Sequence, residues 1–305
     1  MSRGEGSGGR GHRFGGAWTV TKLAILKDYL ASYTTALQSQ PFRTAYIDAF
    51  AGTGYRETAD SGTESGQNLP FPDLADDEPQ DLLDGSARIA LQTEPGFDAY
   101  IFIERSPTRC EHLEDLRDDF PHHGKQIRVE QGEANERIQA LCKDREAWRR
   151  RRAVLFLDPY GMQVEWKTIE AIASTKAIDL WILFPLGMGV NRLLPKSGTV
   201  PPSWKKRLDL LLGTTDWYEV FYQTERIPTL FGSDKERVVK ATTESIGRYF
   251  NSRLKEVFAG VAEHPAVLRN SANNPLYLLC FAVGNERGKN LALRIAEHVL
   301  LKEVR

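Results

Sequence analysis

Four stretches of this chain end an apolar run in residues able to bind or react. They are Asp48-Ala49-Phe50-Ala51-Gly52-Thr53-Gly54, Glu104 after Tyr100-Ile101-Phe102-Ile103, Glu133 and Asn135 after Gln126 to Glu130, and Asp158-Pro159-Tyr160-Gly161 after Ala153 to Leu157. Glycines at 52 and 54 remove Cβ and permit positive φ, so the turn can fold tightly and bring backbone N–H groups against a nucleoside-type ligand. A bare Gly-x-Gly also ends many ordinary strands. A carboxylate such as Glu104 offers two acceptor oxygens and no donor, which suits the paired hydroxyls of a ribose. Singly, each residue also has a plain reading, Glu104 as a solvated strand end and Asp158 to Gly161 as a turn. Their recurrence at successive strand ends is what the rest of the chain has to explain.

The elements between them supply the explanation. Leu23, Leu26, Leu30, Tyr33 and Leu37 recur at three- and four-residue steps, which predicts an amphipathic helix over Trp18 to Gln38. Apolar strands are expected at Ala45–Phe50, Ala99–Glu104, Gln126–Glu130, Ala153–Leu157 and Ala177–Phe184. Helices are expected between them at Ala87–Gln92, Pro107–Asp119, Asn135–Cys142 and Trp166–Ala173. Asp84 or Ser86 can cap the first of these helices, whose free N–H groups then point toward the glycine turn. Alternation of helices with nearly all-apolar strands requires a parallel sheet covered on both faces, hence a doubly wound α/β fold. Ligands of such folds sit in the crevice beyond the carboxyl ends of the strands, where the four stretches would gather.

Residues 1–16, rich in Gly, Ser and Arg, predict a disordered tail, and residues 17–305 a single domain. Within it, Tyr55 to Asp84 lacks periodicity and carries Asp73, Asp76, Asp77 and Glu78, which leaves a lid and a disordered insertion both open. From Gly187 to Gly260 the pattern reads as a helical insertion without a convincing strand, with helices at Trp204–Leu212, Thr215–Gln223 and Lys235–Phe258. Two strands, Pro265–Leu268 and Leu276–Val283, then form a terminal hairpin, and Leu291–Leu301 a closing helix.

Forty basic and 41 acidic residues give a net charge of −1, which argues against indiscriminate polyanion binding and restricts any nucleic-acid contact to a local patch. Arg145 and Arg149 to Arg152 read as a solvated helix end in preference to such a patch. Cys110, Cys142 and Cys280 make no Cys-x-x-Cys, and His122-His123 has no suitably spaced acid, so no disulfide framework or metal site is expected. Without a signal-like segment or a membrane-length apolar run, a cytoplasmic protein is expected.

Asp48-x-Phe50-x-Gly52-x-Gly54 followed by acids at later strand ends resembles the class I S-adenosylmethionine-dependent methyltransferases. The nicotinamide fingerprint fits less well, because a third glycine is missing and so is the acid about 20 residues on. The whole order resembles the three-Cys-motif partner (TcmP) family, through the leading lysine-bearing helix, Tyr46 to Gly54, Gly85-Ser86-Ala87, Phe102-Ile103-Glu104, Leu157 to Gly161 and Tyr277 to Gly284. That resemblance implies a Rossmann-like fold that binds S-adenosylmethionine, with Asp48, Phe50 and Ser86 among the cofactor-binding residues. Gly52 and Gly54 would face the methionine part, Glu104 the ribose, and the Glu133 to Asn135 turn the adenine edge. It also implies a protein partner bearing the three-Cys motif. Asp158-Pro159-Tyr160 resembles the Asp/Asn-Pro-Pro-aromatic signature of amino-methylating enzymes, with only one proline here. In that setting Asp158 or the Pro159 carbonyl accepts the N–H of an exocyclic amine while Tyr160 stacks on a nucleic-acid base. Set against an N-methyltransferase are a catalytically silent partner protein of the same fold and, less well matched, a dinucleotide-dependent oxidoreductase.

Overall fold

The computed structural model describes residues 17–52, 85–227 and 235–303. The expected tail, the loop at 55–84 and Gly54 lie outside the described residues. The chain opens with α1 (Ala17–Leu37) and β1 (Arg43–Asp48), followed by α2 (Ser86–Leu91), β2 (Ala99–Glu104), α3 (Pro107–Asp119) and β3 (Ile127–Gln131). Next come α4 (Ala134–Lys143), α5 (Arg145–Trp148), β4 (Arg151–Leu157), α6 (Trp166–Ser174) and β5 (Ile178–Phe184). All of these except the short α5 fall where the apolar periodicity puts them.

The main sheet has the order β3-β2-β1-β4-β5, with these strands parallel. Beyond β5 the order continues through β10 (Pro275–Val283) to β8 (Gly260–Val261), while β9 (Ala266–Arg269) pairs with the start of β10. Strand β10 is antiparallel to β5, β8 and β9, so it is the reversed strand of an otherwise parallel sheet. The expected terminal hairpin is β9–β10, and α10 (Lys289–Glu303) closes the chain. This is a doubly wound Rossmann-like sheet, and its strand order reverses between β1 and β4.

Strand residues alternate between two cores. Tyr46, Tyr100, Phe102, Val154, Phe156, Trp181 and Phe281 face the layer formed by α1, α2, α3 and α10. Ile47, Ile101, Leu155, Leu157, Leu180 and Ile182 face α4, α6 and the later helices. With both faces covered, the strands have no solvated side, which is why they read as continuous apolar runs.

The insertion differs from expectation. Helices α7 (Pro202–Leu212), α8 (Trp217–Phe221) and α9 (Thr243–Val257) are present, but β6 (Tyr222–Ile227) and β7 (Lys235–Lys240) form a two-stranded antiparallel ribbon where helix was expected. Charged residues with good helix propensity mask the strands, and beyond buried Tyr222 the ribbon has, among the described residues, no run of buried positions to impose a two-residue period. Its register sets Glu225 opposite Arg237 and Arg226 opposite Glu236, so complementary charge supports the pairing instead.

At the opposite end of the sheet from the strand carboxyl ends, buried Asp179 ties three elements together. The Tyr29 hydroxyl of α1 donates to its Oδ2 at 3.0 Å, and the Gly284 N–H after β10 donates to its Oδ1 at 3.3 Å. Burial pushes the Asp179 carboxyl up to about 7, against the opposing pull of these hydrogen bonds and of Arg152. The folded chain therefore keeps a proton that the unfolded chain loses near its ordinary value of 3.8, so this group's stabilisation falls as pH rises between about 4 and about 7. Asp179→Asn keeps an acceptor for Gly284 and can point its amide N–H at the Tyr29 oxygen. The thermal midpoint of the wild type should fall relative to that of Asp179→Asn between about pH 4.5 and about pH 7.5, and parallel curves would show that the carboxyl titrates at its ordinary value.

Candidate functional site

The reversal between β1 and β4 places two aspartates side by side at the sheet's carboxyl end, and the turn after β1 leaves from there. Asp48 ends β1 fully buried. Its Oδ1 accepts the Phe50 N–H at 3.3 Å, and its Oδ2 accepts the hydroxyls of Tyr46 at 3.2 Å and Ser86 at 2.5 Å. One carboxyl group thus shapes the turn and anchors the first residue of α2. Burial is the main cause that pushes it up to about 6, nearby Asp158 adds to the rise, and the hydrogen bonds oppose it.

The turn then reaches Gly52, where φ is +63° and a Cβ would meet no described residue within 4 Å. The left-handed backbone favours glycine there. Gly52 N–H donates to Glu104 Oε2 at 3.2 Å, while Glu104 Oε1 accepts the N–H groups of Arg105 and Ser106, both at 2.8 Å. Glu104 therefore bridges the ends of β1 and β2, and Oε2 retains a lone pair on the side of the Gly52 corner.

Glu133 caps α4 by accepting the Glu136 N–H at 2.9 Å, and its other oxygen accepts from Asn135 Nδ2 at 2.7 Å. Asn135 Nδ2 also donates to the Gln163 carbonyl at 2.9 Å, and its Oδ1 accepts from Glu165 N at 3.0 Å and Thr168 Oγ1 at 2.8 Å. All the bonding capacity of that amide is used within the chain. Asn135 braces the turn after β3 against the segment leading into α6, and the turn presents its backbone, not this side chain, to the crevice.

Across the switch point, Asp158 Oδ2 is ion-paired with Lys22 Nζ of α1. The Lys22 side chain is 6% exposed and its Nζ lies 5.0 Å from the centre of the Trp18 ring. Lys22 was not singled out from the sequence, yet a signal existed. It lies one turn before Leu26 on the buried stripe of α1, and a lysine there requires a counter-charge. Pro159 is buried, and Tyr160 projects with 64% of its surface exposed. Met162 packs so closely on Gly189 that a Cβ at 189 would lie 2.9 Å from Met162 Cγ, so the loop after β4 rests on the loop after β5.

The remaining candidates have structural places. Phe184 stacks on Phe250 of α9 with ring centres 4.0 Å apart. His122 is exposed, whereas His123, expected to face solvent, is half-buried with its ring edge against Tyr100. The three cysteines are free and buried, and burial pushes the Cys142 thiol up to about 12. Among the described residues no group of His, Cys, Asp and Glu is placed to hold a metal ion, and no helix is long and apolar enough to cross a membrane.

No protein-family model matches the chain, and no curated protein is significantly similar to it. The likeness to the three-Cys-motif partner family thus stays one of motifs. Solved structures similar to the chain include a Legionella pneumophila protein of the DUF519 family, 12% identical, with 96% of this chain and 94% of that chain covered and a TM-score of 0.49. An Escherichia coli protein, YhhF, provisionally named a methyltransferase, is 11% identical over 70% of this chain and 86% of that chain, with a TM-score of 0.30. The fold assignment rests on the strand order, and any functional reading rests on the geometry of the strand ends.

The Lys22–Asp158 pair, with the lysine side chain 6% exposed and the aspartate side chain 25% exposed, makes its own prediction. Lys22→Met should leave Asp158 without its counter-charge but partly solvated, at a cost of about 1 kcal/mol. The double variant Lys22→Met/Asp158→Asn should recover much of that loss, because no charge is then stranded. Urea denaturation of the two single variants and the double variant measures the coupling, and additive losses would mean the two side chains do not interact in solution.

Proposed function

We propose that this chain is an S-adenosylmethionine-dependent N-methyltransferase whose favoured acceptor is an exocyclic amine of a nucleic-acid base. The observation that carries the reading is the backbone corner at Gly52, held by its N–H on Glu104, facing Asp158-Pro159-Tyr160 across the point where the strand order reverses. Bound there, S-adenosylmethionine would supply an electrophilic methyl on its sulfonium. Glu104 would hold the ribose hydroxyls through the free capacity of its carboxylate, with Gly52 letting the cofactor lie against the main chain. Asp48 and Ser86 would act indirectly, by fixing the turn and the start of α2, Phe50 belongs to that turn, and Gly54 would follow it toward the methionine part of the cofactor. The Glu133 to Asn135 turn would line the adenine edge.

On the acceptor side, Lys22 occupies Asp158 Oδ2 and fixes the carboxylate's orientation. Oδ1 is left to accept an N–H from the incoming amine, which aims the nitrogen lone pair away from the aspartate. The exposed Tyr160 ring offers a face for the base that carries the amine. A second reading draws on the same ion pair. If Asp158 serves only as the buried partner of Lys22, the chain is a silent protein that keeps the fold to bind a partner, for which the likeness to the three-Cys-motif partner family speaks.

Calorimetry decides the cofactor. The protein should bind S-adenosylmethionine and its demethylated product but not NAD, and Glu104→Ala should weaken binding by about 1–3 kcal/mol, the range for hydrogen bonds to a charged group. Absence of heat with both ligands would rule out the cofactor.

Transfer of labelled methyl groups to total tRNA, DNA and protein extract decides the chemistry. Asp158→Asn should leave cofactor affinity nearly unchanged while the transfer rate falls on the order of a hundredfold, the size seen when one preorganised polar contact is lost. Tyr160→Ala should weaken acceptor binding by about 1–3 kcal/mol. Label that reaches an acceptor equally well with Asp158→Asn removes the role given to Asp158, and label that reaches none leaves the silent-partner reading standing.

A further inference from the structure

The insertion carries a feature that the cofactor reading does not use. The loop after β5 runs through a 3₁₀ turn (Val190–Leu193) to a tight turn closed by the Gly198 N–H on the Pro195 carbonyl at 3.2 Å. Two tyrosines of the α8–β6 segment fasten this turn, with Tyr222 donating to the Pro195 carbonyl at 2.9 Å and Tyr218 to the Gly198 carbonyl at 2.8 Å. Three lysines surround it. Lys196 stands exposed on the turn itself, Lys205 Nζ of α7 lies 5.9 Å from the Tyr218 ring centre, and Lys240 at the end of β7 donates to the Asn191 carbonyl at 2.7 Å.

Some cations of the molecule meet acids, as in Lys22–Asp158, Arg88–Asp119, Arg253–Glu256 and Lys302–Asp28. None of Lys196, Lys205 and Lys240 has a carboxylate partner among the described residues. Lys240 is half-buried, and its ammonium is destabilised first by desolvation and then by Lys196. The whole chain has a net charge of −1, so this gathering of uncompensated positive charge does not follow from a generally basic composition. Exposed Tyr218 and Val238 lie among the lysines, with Val238 packed on Gly198.

We infer that the turn at 195–198, together with α7 and the β6–β7 ribbon, is a phosphate-binding surface for a single-stranded nucleic acid. Unpaired lysines around an exposed aromatic ring are the combination that tracks a sugar-phosphate backbone while a base stacks. The surface also adjoins the acceptor loop, since Lys240 is bonded to Asn191 and the neighbouring Gly189 lies against Met162, just past Tyr160. A strand held at the lysines can therefore extend toward Tyr160, and a single strand can present an unpaired amine that a duplex buries. The inference builds on the proposed nucleic-acid acceptor, but binding to this surface requires neither the cofactor nor methyl transfer.

The test is fluorescence anisotropy of the full chain with labelled single-stranded RNA and DNA of about 20 nucleotides, a duplex of the same sequence, and polyglutamate as a polyanion without bases. Wild type should bind the single strands more tightly than the duplex and polyglutamate. Lys196→Glu/Lys205→Glu, at two exposed positions, should weaken single-strand binding at least about tenfold and flatten the log Kd against log salt slope by more than one, since each lost phosphate contact removes about 0.7 of slope. Lys196→Ala/Lys205→Ala should change both in the same direction by less. Unchanged binding in the charge-reversed variant, or polyglutamate binding as tightly as the single strands, would overturn the inference. Calorimetric binding of S-adenosylmethionine by the same variant should stay at the wild-type level, so failure here is distinguishable from failure of the cofactor reading.

Discussion

A parallel sheet buried on both faces leaves the ends of its strands as the place where polar side chains can collect, and every polar group there must find a partner. At the carboxyl end this constraint decides the shape of the crevice. Asp48 is satisfied by its own turn and by Ser86, Glu104 by three backbone N–H groups, and Asp158 by a lysine from the first helix. Each acid ties together elements distant in sequence, so the Gly52 N–H is held on a carboxylate from the next strand. Groups held in place before a ligand arrives lower the cost of ordering its site.

The Lys22–Asp158 pair shows how stability and chemistry can use the same contact. Desolvating two charges is expensive, and replacing a buried ion pair with apolar residues is often neutral or stabilising. Here α1 is already held by an extensive apolar stripe through Ile25, Leu26, Tyr29 and Leu30, all buried, so docking the helix does not require the pair. What the pair adds is orientation, because it fixes one oxygen of Asp158 and leaves the other directed elsewhere. A carboxylate meant only to brace the fold would gain from having both oxygens engaged, as those of Asp48 are.

Much of this was legible in the sequence, because strands without a solvated face and helices with one apolar stripe impose periods of their own. The strand at Ala99–Glu104 and the helix at Pro107–Asp119 match residue for residue. The failures have a common cause. The β6–β7 ribbon carries neither period, since among the described residues it touches the core only at Tyr222, and Lys235-Glu-Arg-Val-Val-Lys reads as well for a helix. Partnerships closed by the tertiary fold are also hidden: Lys22 and Asp158 are 136 residues apart, and Tyr29 and Asp179 are 150 apart. In both cases one partner lies on the buried stripe of α1, where a charge or hydroxyl demands a partner without naming it. Asn135 fails in the opposite sense, because its residue type suggests recognition and its geometry spends the whole amide on the chain itself.

The division of the molecule follows from the same topology. Residues that would hold a cofactor leave β1, β2 and β3 on one side of the reversal, while Asp158 and the insertion leave β4 and β5 on the other. The insertion packs on the sheet through α7, α8 and α9, whose buried Leu208, Leu211, Trp217, Phe221 and Phe250 belong to the core beneath β4 and β5. Among the described residues its ribbon joins that core only at Tyr222, and Gln223 to Arg226 and Glu236 to Val238 are exposed. The two sides of the reversal therefore differ in kind, with buried carboxylates accepting backbone N–H groups on one and lysines around a tyrosine ring on the other. The close packing of Met162 on Gly189 joins the two halves, because it sets the loop after β4 against the loop after β5.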